Sequence, residues 1–373
     1  MRYNLFASAL KLLNSAKKPN LLVVNVRSLT GAAQTNDAVA PTARPPPVAP
    51  GNPAEEQRSL HIAVIGVPNV GKSTFINNTV NHRVCPTSAK VHTTRQSNTA
   101  ICTTGQTQLV FYDTPGLVTQ HEIRRHHLEQ SFKSAYRHAI QHADIIAVVH
   151  DASNGYTRKE LHPTVLDTLK AYSNLPSFLV LNKIDALKSK RLLLDLIKTL
   201  TNDTLTPGKR GAAAADPQPK ELRINKKESS WSHFSDVFLV SALTGNGLPE
   251  LQSYLVGQAK PRSWKYPADI RTDTSPEAQI VESVRARLLD YLPQEIPYNL
   301  KCELEYYSVE KHVIYTSVQV QCPTPRIERL ICGEGNGKLR QITERVTSDL
   351  VEMFGQAVSL TISTVSKGKK SAS

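Results

Sequence analysis

The sequence predicts an α/β protein with two folded parts: a doubly wound, mainly parallel domain over residues 57–258 and a small α+β domain over 276–366. Three observations carry this. Apolar strand signals in "LHIAVIG" (60–66), "LVFYDTPG" (109–116), "SFLVLNKID" (177–185) and "DVFLVSAL" (236–243) each run straight into a turn. That is how a buried parallel sheet reads when its ligand lies at the carboxyl ends of the strands. A glycine-bearing turn separates the first strand from the helix signal "STFINNTV" (73–80). Beyond 276 the pattern changes to a helix, two alternating strands, two helices and a closing strand. A length of 373 residues accommodates both parts.

Residues 1–56 read as an address followed by a linker. Arg2, Lys11, Lys17, Lys18 and Arg27 precede the first acid, Asp37, while Phe6, Leu10 and Leu13 share one helical face. A positive, acid-free, amphipathic start is the pattern of a mitochondrial transit peptide. "PTARPPPVAPGNP" (41–53) cannot continue a helix or a ladder and reads as an extended linker. The formal net charge is +13, and the first 58 residues hold seven Lys or Arg against three acids. Most of the surplus therefore lies further on, and a polyanion such as nucleic acid fits as a partner. Five scattered cysteines without a C-x-x-C pair read as thiols in a reducing compartment. No apolar run approaches the ~20 residues of a membrane span.

Gly66-Val67-Pro68-Asn69-Val70-Gly71-Lys72-Ser73, followed by Thr74, stands between strand and helix and matches the P-loop pattern. Its backbone N–H groups can wrap phosphates, Lys72 can reach the β- and γ-phosphates, and the Ser73 hydroxyl can bind Mg²⁺. Asp113-Thr114-Pro115-Gly116-Leu117 ends the second strand. Asp113 can hold the Mg²⁺ shell through water, and the Gly116 N–H can meet a γ-phosphate. Asn182-Lys183-Ile184-Asp185 selects the base. Asp185 can accept from the N1–H and N2 amine of guanine, whereas adenine would leave that charge unpaired. Ser241-Ala242-Leu243 closes the set with a backbone N–H for guanine O6. Between the first two motifs, Thr93-Thr94-Arg95 lies in a polar stretch, and Thr94 can close onto Mg²⁺ when a γ-phosphate is present.

These motifs imply binding and hydrolysis of GTP, with Lys72, Thr94 and Gly116 in the catalytic machinery. Small G proteins often orient the attacking water with a Gln after the D-x-x-G glycine, but Leu117 occupies that place here. A slow intrinsic rate is expected. Asn69 corresponds to a position that helps bind K⁺ in a related class of GTPases; the alternative is an Asn that tolerates the loop's dihedrals. The histidine-rich stretch, with His138 and His142 one turn apart, lacks a third ligand at diagnostic spacing and reads as a solvated face.

"NDTLTPGKRGAAAADPQPKELRINKKESSW" reads as a disordered insertion (201–232) in the first domain, and 259–275 as a linker. In the second domain, Ile280, Val281, Val284, Leu288, Leu289 and Leu292 share a helical face. Ile314, Thr316, Val318 and Val320 alternate with polar neighbours along a strand. The order is similar to a type-II KH domain, whose two helices are joined by a G-x-x-G loop that clamps a single-stranded backbone. The loop here is Gly333-Glu334-Gly335-Asn336-Gly337, with Lys338 and Arg340 behind it. Asn336 stands where the second Gly belongs, and Glu334 would repel phosphate. Residues 367–373 form a basic tail.

Taken together, residues 58–366 resemble the Era family of GTPases, and its mitochondrial members in particular. "VRARLLDYLPQEIPYNL", leading into the KH-like part, is the stretch that separates this family from other GTPases with the same motifs. The resemblance implies a monomeric, GTP-dependent chaperone of small-ribosomal-subunit assembly that binds rRNA near its 3′ end. It implies the mitochondrial matrix as compartment, with peripheral association at the inner membrane. The competing expectation is a GTP-sensing scaffold, or another GTPase of the TrmE-Era class, whose KH-like domain contacts protein rather than RNA.

Overall fold

The structure, a computed structural model, describes residues 56–88, 98–117, 131–189, 191–205, 229–292 and 300–366. The segment read as a transit peptide, Thr94 with its neighbours, most of the stretch read as an insertion (201–232) and residues 367–373 lie outside them.

The first domain is built on strands β1 (Arg58–Ile65), β2 (Asn98–Thr104), β3 (Thr107–Asp113), β4 (Ile145–Asp151), β5 (Ser177–Asn182) and β6 (Phe234–Leu239). They lie in the order β2-β3-β1-β4-β5-β6, with β2 antiparallel to β3 and the other neighbours parallel. Its helices are α1 (Lys72–Thr79), α2 (Ser131–Gln141), α3 (Pro163–Ala171), α4 (Arg191–Leu200) and α5 (Leu248–Gln258). Chain direction along β1 sorts side chains to opposite faces, as a period of two requires. Leu60, Ile62 and Val64 pack with Phe75 and Ile76 of α1 and Leu251 and Leu255 of α5. Ala63 and Ile65 pack with Ile140 of α2, Leu166 and Leu169 of α3 and Leu196 of α4. Both faces of the sheet are thus covered, and each fully buried Leu, Ile or Phe contributes roughly 1.5–3 kcal/mol. Because β3 and β4 flank β1 on opposite sides, the turn after β1 opens at the topological switch point, where such sheets bind ligands.

The 259–275 stretch is laid along this sheet. A two-residue strand β7 (Lys260–Pro261) pairs with the start of β1. The wholly buried Gln108 acts as a substitute strand edge: its Nε2 donates to Tyr266 O (2.8 Å) and its Oε1 accepts from the amides of Lys265 and Tyr266 (3.1 Å each). Trp264 Nε1 donates to the carbonyls of Arg58 and Gln106, and the Ile101 amide donates to Arg271 O (2.8 Å). Beneath the stretch, His61 Nδ1 lies 3.0 Å from the Tyr112 hydroxyl. Burial first, then the Arg262 charge, lowers the His61 pKa to about 4. The unfolded chain therefore takes up a proton near pH 6.5 that the folded chain refuses until about 4. Stability is full above pH 6.5 and falls as pH drops through that window. Part of the ring meets solvent, so the loss is on the order of 1–2 kcal/mol. Thermal melts of wild type and His61→Gln between pH 4 and 7.5 check this: the variant is expected to give the flatter profile.

The second domain comprises α6 (Pro276–Tyr291), β8 (Lys301–Glu310), β9 (Val313–Cys322), α7 (Pro325–Cys332), α8 (Gly337–Phe354) and β10 (Ala357–Ser366). Ser275 caps α6 and Thr324 caps α7 through side-chain oxygens, each followed by Pro at the first helical position. Lys311 and His312 both have positive φ, the two-residue turn that joins twisted antiparallel strands closely. The sheet order is β10-β9-β8, with β10 parallel to β9. Ile314, Val318 and Val320 of β9 face a core shared with Ile280, Val284 and Leu288 of α6 and Ile342, Val346 and Leu350 of α8. Among the described residues, no helix is long and apolar enough to cross a membrane.

The segment His82–Ser88, which follows α1, rests against α6 and α8. Arg287 grips the buried Asp349 with two hydrogen bonds (2.5 and 2.9 Å), and Arg83 reaches the same carboxylate at 3.0 Å. Arg287 also meets Asp290 (2.8 Å), which accepts from Ser88 Oγ at 2.6 Å. His82 Nε2 lies 3.0 Å from Met353 O. The charges of the two domains are therefore interlocked.

Candidate functional site

The turn after β1 and the ends of β3, β5 and β6 converge. Lys72 begins α1 and is buried, its Nζ donating to the carbonyls of Gly66 (3.2 Å) and Val67 (3.1 Å). Burial lowers its pKa to about 8, against the opposing pull of Asp113. Ser73 Oγ donates to Asp113 Oδ2 at 2.6 Å, and Asp113 is wholly buried. A hydroxyl and a carboxylate held this close are hard oxygen donors, and they fit Mg²⁺ rather than a softer ion.

The segment after β3 is locked onto the P-loop. Thr114 Oγ1 donates to Val64 O (2.7 Å) and the Leu117 amide to Gly66 O (2.9 Å). Gly116 passes so close that an added Cβ would stand 2.7 Å from Pro68 N and 2.8 Å from Pro68 Cα. A methyl group there must push the two phosphate-facing segments apart. Gly116→Ala is expected to lower kcat about 10²-fold or more while the fold survives, on the scale of losing one transition-state donor. Single-turnover hydrolysis beside a thermal melt checks it.

The base end is tied to the phosphate end by Asn182. Its Nδ2 donates to Val70 O (2.8 Å) and its Oδ1 accepts from the Ala242 amide (2.9 Å), so the amide expected for guanine O6 is held by the base-selecting motif itself. Lys183, in the left-handed region at φ +61°, donates to Asn69 O (2.6 Å) and Asp151 Oδ2 (2.7 Å). Burial pushes the Asp151 carboxyl up, but hydrogen bonds from Lys183 and Ser153 outweigh it and the pKa is lowered. Asp185 stands on the turn Ile184–Ala186 and accepts from Ser241 Oγ at 2.5 Å. Leu243 is exposed beside it.

In the second domain, α7 and α8 are joined through Glu334–Asn336, with Gly333, Gly335 and Asn336 all at positive φ. At Gly333 a Cβ would meet Lys338 Cβ at 2.7 Å, so the loop folds back on the start of α8. Asn336 adopts φ +60°, and Gly337 is the first residue of α8. Glu334, Gly335, Asn336 and Gly337 are exposed, Lys338 is half-buried, and Arg340 pairs with Glu344 at 3.0 Å.

Residues 61–183 match the family model described as "50S ribosome-binding GTPase". "GTPase Era, mitochondrial" of Danio rerio is 34% identical over 337 residues, covering 83% of this chain and 75% of that protein. The chain belongs to the Era family of GTPases. The Caenorhabditis elegans protein of the same description is 30% identical over 346 residues, covering 80% of this chain and 87% of its own. A crystal structure of Era with MgGDPNP and nucleotides 1506–1542 of 16S ribosomal RNA superposes with a TM-score of 0.66, at 21% identity over 83% of this chain and 94% of that one. The two-domain fold is thus that of Era, and the chain is a GTP-hydrolysing enzyme.

Within this Era-family site the structure brings together every described member of the four motifs; Thr94 lies outside the described residues. Asn69 is exposed and in the left-handed region at φ +62°, a conformation Asn tolerates. His138 and His142 stack with ring centroids 4.3 Å apart, and among the described residues no group of three His, Cys, Asp or Glu is placed to hold a metal. Sequence reasoning missed Asp151, the partner of Lys183, although it ends an apolar strand just as Asp113 does.

Proposed function

We propose that this Era-family GTPase acts in mitochondria as an assembly factor of the small ribosomal subunit, gripping rRNA near its 3′ end through the KH-like domain and releasing it on GTP hydrolysis. The observation that carries the reading is the junction: the segment between the P-loop helix and the Thr94 loop is ion-paired to α8 of the second domain at Arg83–Asp349 and hydrogen-bonded to α6 at Ser88–Asp290. A neighbour of the same fold was crystallised with MgGDPNP and a 16S rRNA segment, which supports carrying both ligands over.

On this reading Ser73 and Asp113, with Thr94, would hold Mg²⁺, which when bound supplies charge against the β- and γ-phosphates. Lys72 exchanges its two carbonyl partners for phosphate oxygens, and the Gly116 N–H meets the γ-phosphate. Asp185, steadied by Ser241, reads N1–H and the N2 amine of guanine. Leu117 offers no polar group to orient water, which keeps intrinsic hydrolysis slow. Asn69 helps bind K⁺, and faster turnover in K⁺ than in Na⁺ at equal ionic strength is the outcome that would support it. The Gly333–Gly337 loop and the start of α8, with Lys338 and Arg340, meet RNA phosphates. The protein works as a monomer in the matrix, peripheral to the inner membrane.

One observation favours the scaffold alternative. Residues 276–366 hold nine Lys or Arg against twelve Asp or Glu, and Glu334 sits in the loop itself. The two readings separate in a binding series of the full chain with a GTP analogue on single-stranded segments of small-subunit rRNA. RNA contact predicts sequence-selective binding, weakened in Lys338→Ala with a salt slope smaller by about one. Weak binding, equal for all segments and untouched by the substitution, would favour the scaffold.

A further inference from the structure

Two neighbouring carbonyls of the P-loop are held by two neighbouring residues of the base-selecting motif. Asn182 Nδ2 donates to Val70 O at 2.8 Å, and Lys183 Nζ donates to Asn69 O at 2.6 Å. The two ties are built differently. Asn182 is buried and its Oδ1 also accepts from the Ala242 amide (2.9 Å), so its side chain is pinned at both ends. Lys183 reaches the exposed Asn69 on a long, flexible stem, with its own side chain 36% exposed. A lysine in that setting readily gives up a surface hydrogen bond for rotamer freedom. The end of β4 opposes this, because Asp151 Oδ2 accepts from the same Nζ at 2.7 Å. Asp151 is fixed in its turn: its Oδ1 accepts from the Ser153 amide (2.8 Å) and from Ser153 Oγ (2.6 Å). The Ala152 amide, next to it, donates to Asn182 O at 3.0 Å. Ser153, Asp151, Lys183 and Asn69 thus form one chain of contacts from the turn after β4 to the P-loop.

We propose that Asp151 is a positioning residue for nucleotide retention: by holding the Lys183 ammonium on the Asn69 carbonyl, it ties the base end of the pocket to the phosphate end. The inference rests on the reading of Asn182–Asp185 as the base-selecting motif. A nucleotide leaves when the segments that hold its base and its phosphates part, and each contact spanning them raises the free energy of that local opening. The chain of contacts runs through Asn69, Lys183 and Asp151, not through Ser73 or Asp113, so GDP and a GTP analogue should be affected alike. Both carboxylate oxygens are used as acceptors, one for Ser153 and the other for Lys183. Asparagine at 151 can keep the Ser153 bonds with its oxygen, but it then turns an N–H₂ toward the ammonium. It preserves the turn and loses the link.

The test uses the full chain as wild type, Asp151→Asn, Lys183→Met and the double variant. Release of GDP carrying a fluorophore on its ribose is followed in excess Mg²⁺, beside a thermal melt, and repeated with a labelled non-hydrolysable GTP analogue. Asp151→Asn is expected to release both nucleotides about five- to thirtyfold faster, the scale of one charge-assisted hydrogen bond in a partly exposed place. Lys183→Met should also release them faster. Adding Asp151→Asn to Lys183→Met should then change release by less than about twofold, because the carboxylate acts through the lysine. A carboxylate that merely supports the fold would give losses that add in the double variant, and that result would overturn the proposal. A wild-type rate in Asp151→Asn, whatever its melting temperature, would overturn it too. If Lys183→Met releases GDP as wild type does, the reading of the base-selecting motif fails first and takes the proposal with it, a result distinct from the other two.

Discussion

Asp185→Asn is expected to weaken GTP binding about 10²–10³-fold and to shift preference toward xanthosine triphosphate. Asp185 is held on its turn by the Ser241 hydroxyl at 2.5 Å, with the preceding Lys183 fixed by Asp151 and Asn69. Its carboxylate offers only acceptors, which suits the two donors on the guanine edge. Asparagine turns one acceptor into an N–H₂ that faces a donor on the guanine edge, so two groups that pair in the wild type are set against one another. Xanthine carries a carbonyl where guanine carries the N2 amine, so it accepts from the new N–H₂. The phosphate end is expected to keep its own contacts, in which Lys72 is held by Gly66 and Val67 and Ser73 by Asp113. Equilibrium competition among GTP, XTP and ATP checks this. Loss of all three alike would mean that the substitution had damaged the pocket rather than its selectivity.

The second large effect is on stability. Asp349→Ala is expected to cost about 3–5 kcal/mol, because it leaves Arg287 and Arg83 facing a buried void in place of the carboxylate they share. Asp290 still meets Arg287 and Glu352 still meets Arg83, which keeps the loss below that of wholly orphaned charges. Arg83→Ala removes the two ion pairs that Arg83 makes across to α8, with Asp349 at 3.0 Å and the exposed Glu352 at 3.1 Å, and should cost less. A double-mutant cycle on the two, by chemical denaturation, is expected to give a coupling of roughly 0.5–3 kcal/mol. Additive losses would mean that the domains do not feel one another through this pair.

The nucleotide motifs were legible because each needs particular residue types at fixed spacing on a strand end. Gly66–Ser73, Asp113–Leu117, Asn182–Asp185 and Ser241–Leu243 fall together once β1, β3, β5 and β6 are parallel neighbours or near neighbours. Strand alternation likewise marked the inward residues of β9. What could not be read were side chains that tie distant segments. Nothing in "TGQTQLVFYD" announces that Gln108 will serve as a strand edge for Tyr266. Asp349 sits in "TERVTSDLVEM", where a charge reads as solvated face, and only packing α8 against α6 and the 82–88 segment buries it. The KH-like loop was half legible. Its glycines and Asn336 announced positive φ, but spacing alone did not fix whether Gly337 belongs to the loop, and the structure makes it the first residue of α8.

On the proposed function, the nucleotide at the P-loop governs the grip of the second domain on RNA, through the segment that bears Arg83 and Ser88. The measurement that tests it most directly is the affinity of the full chain for a small-subunit rRNA 3′ segment, taken at one salt concentration with a non-hydrolysable GTP analogue and again with GDP. Binding is expected to be at least about tenfold tighter with the analogue, a coupling within the usual 1–3 kcal/mol. Equal affinity in the two nucleotide states would contradict it.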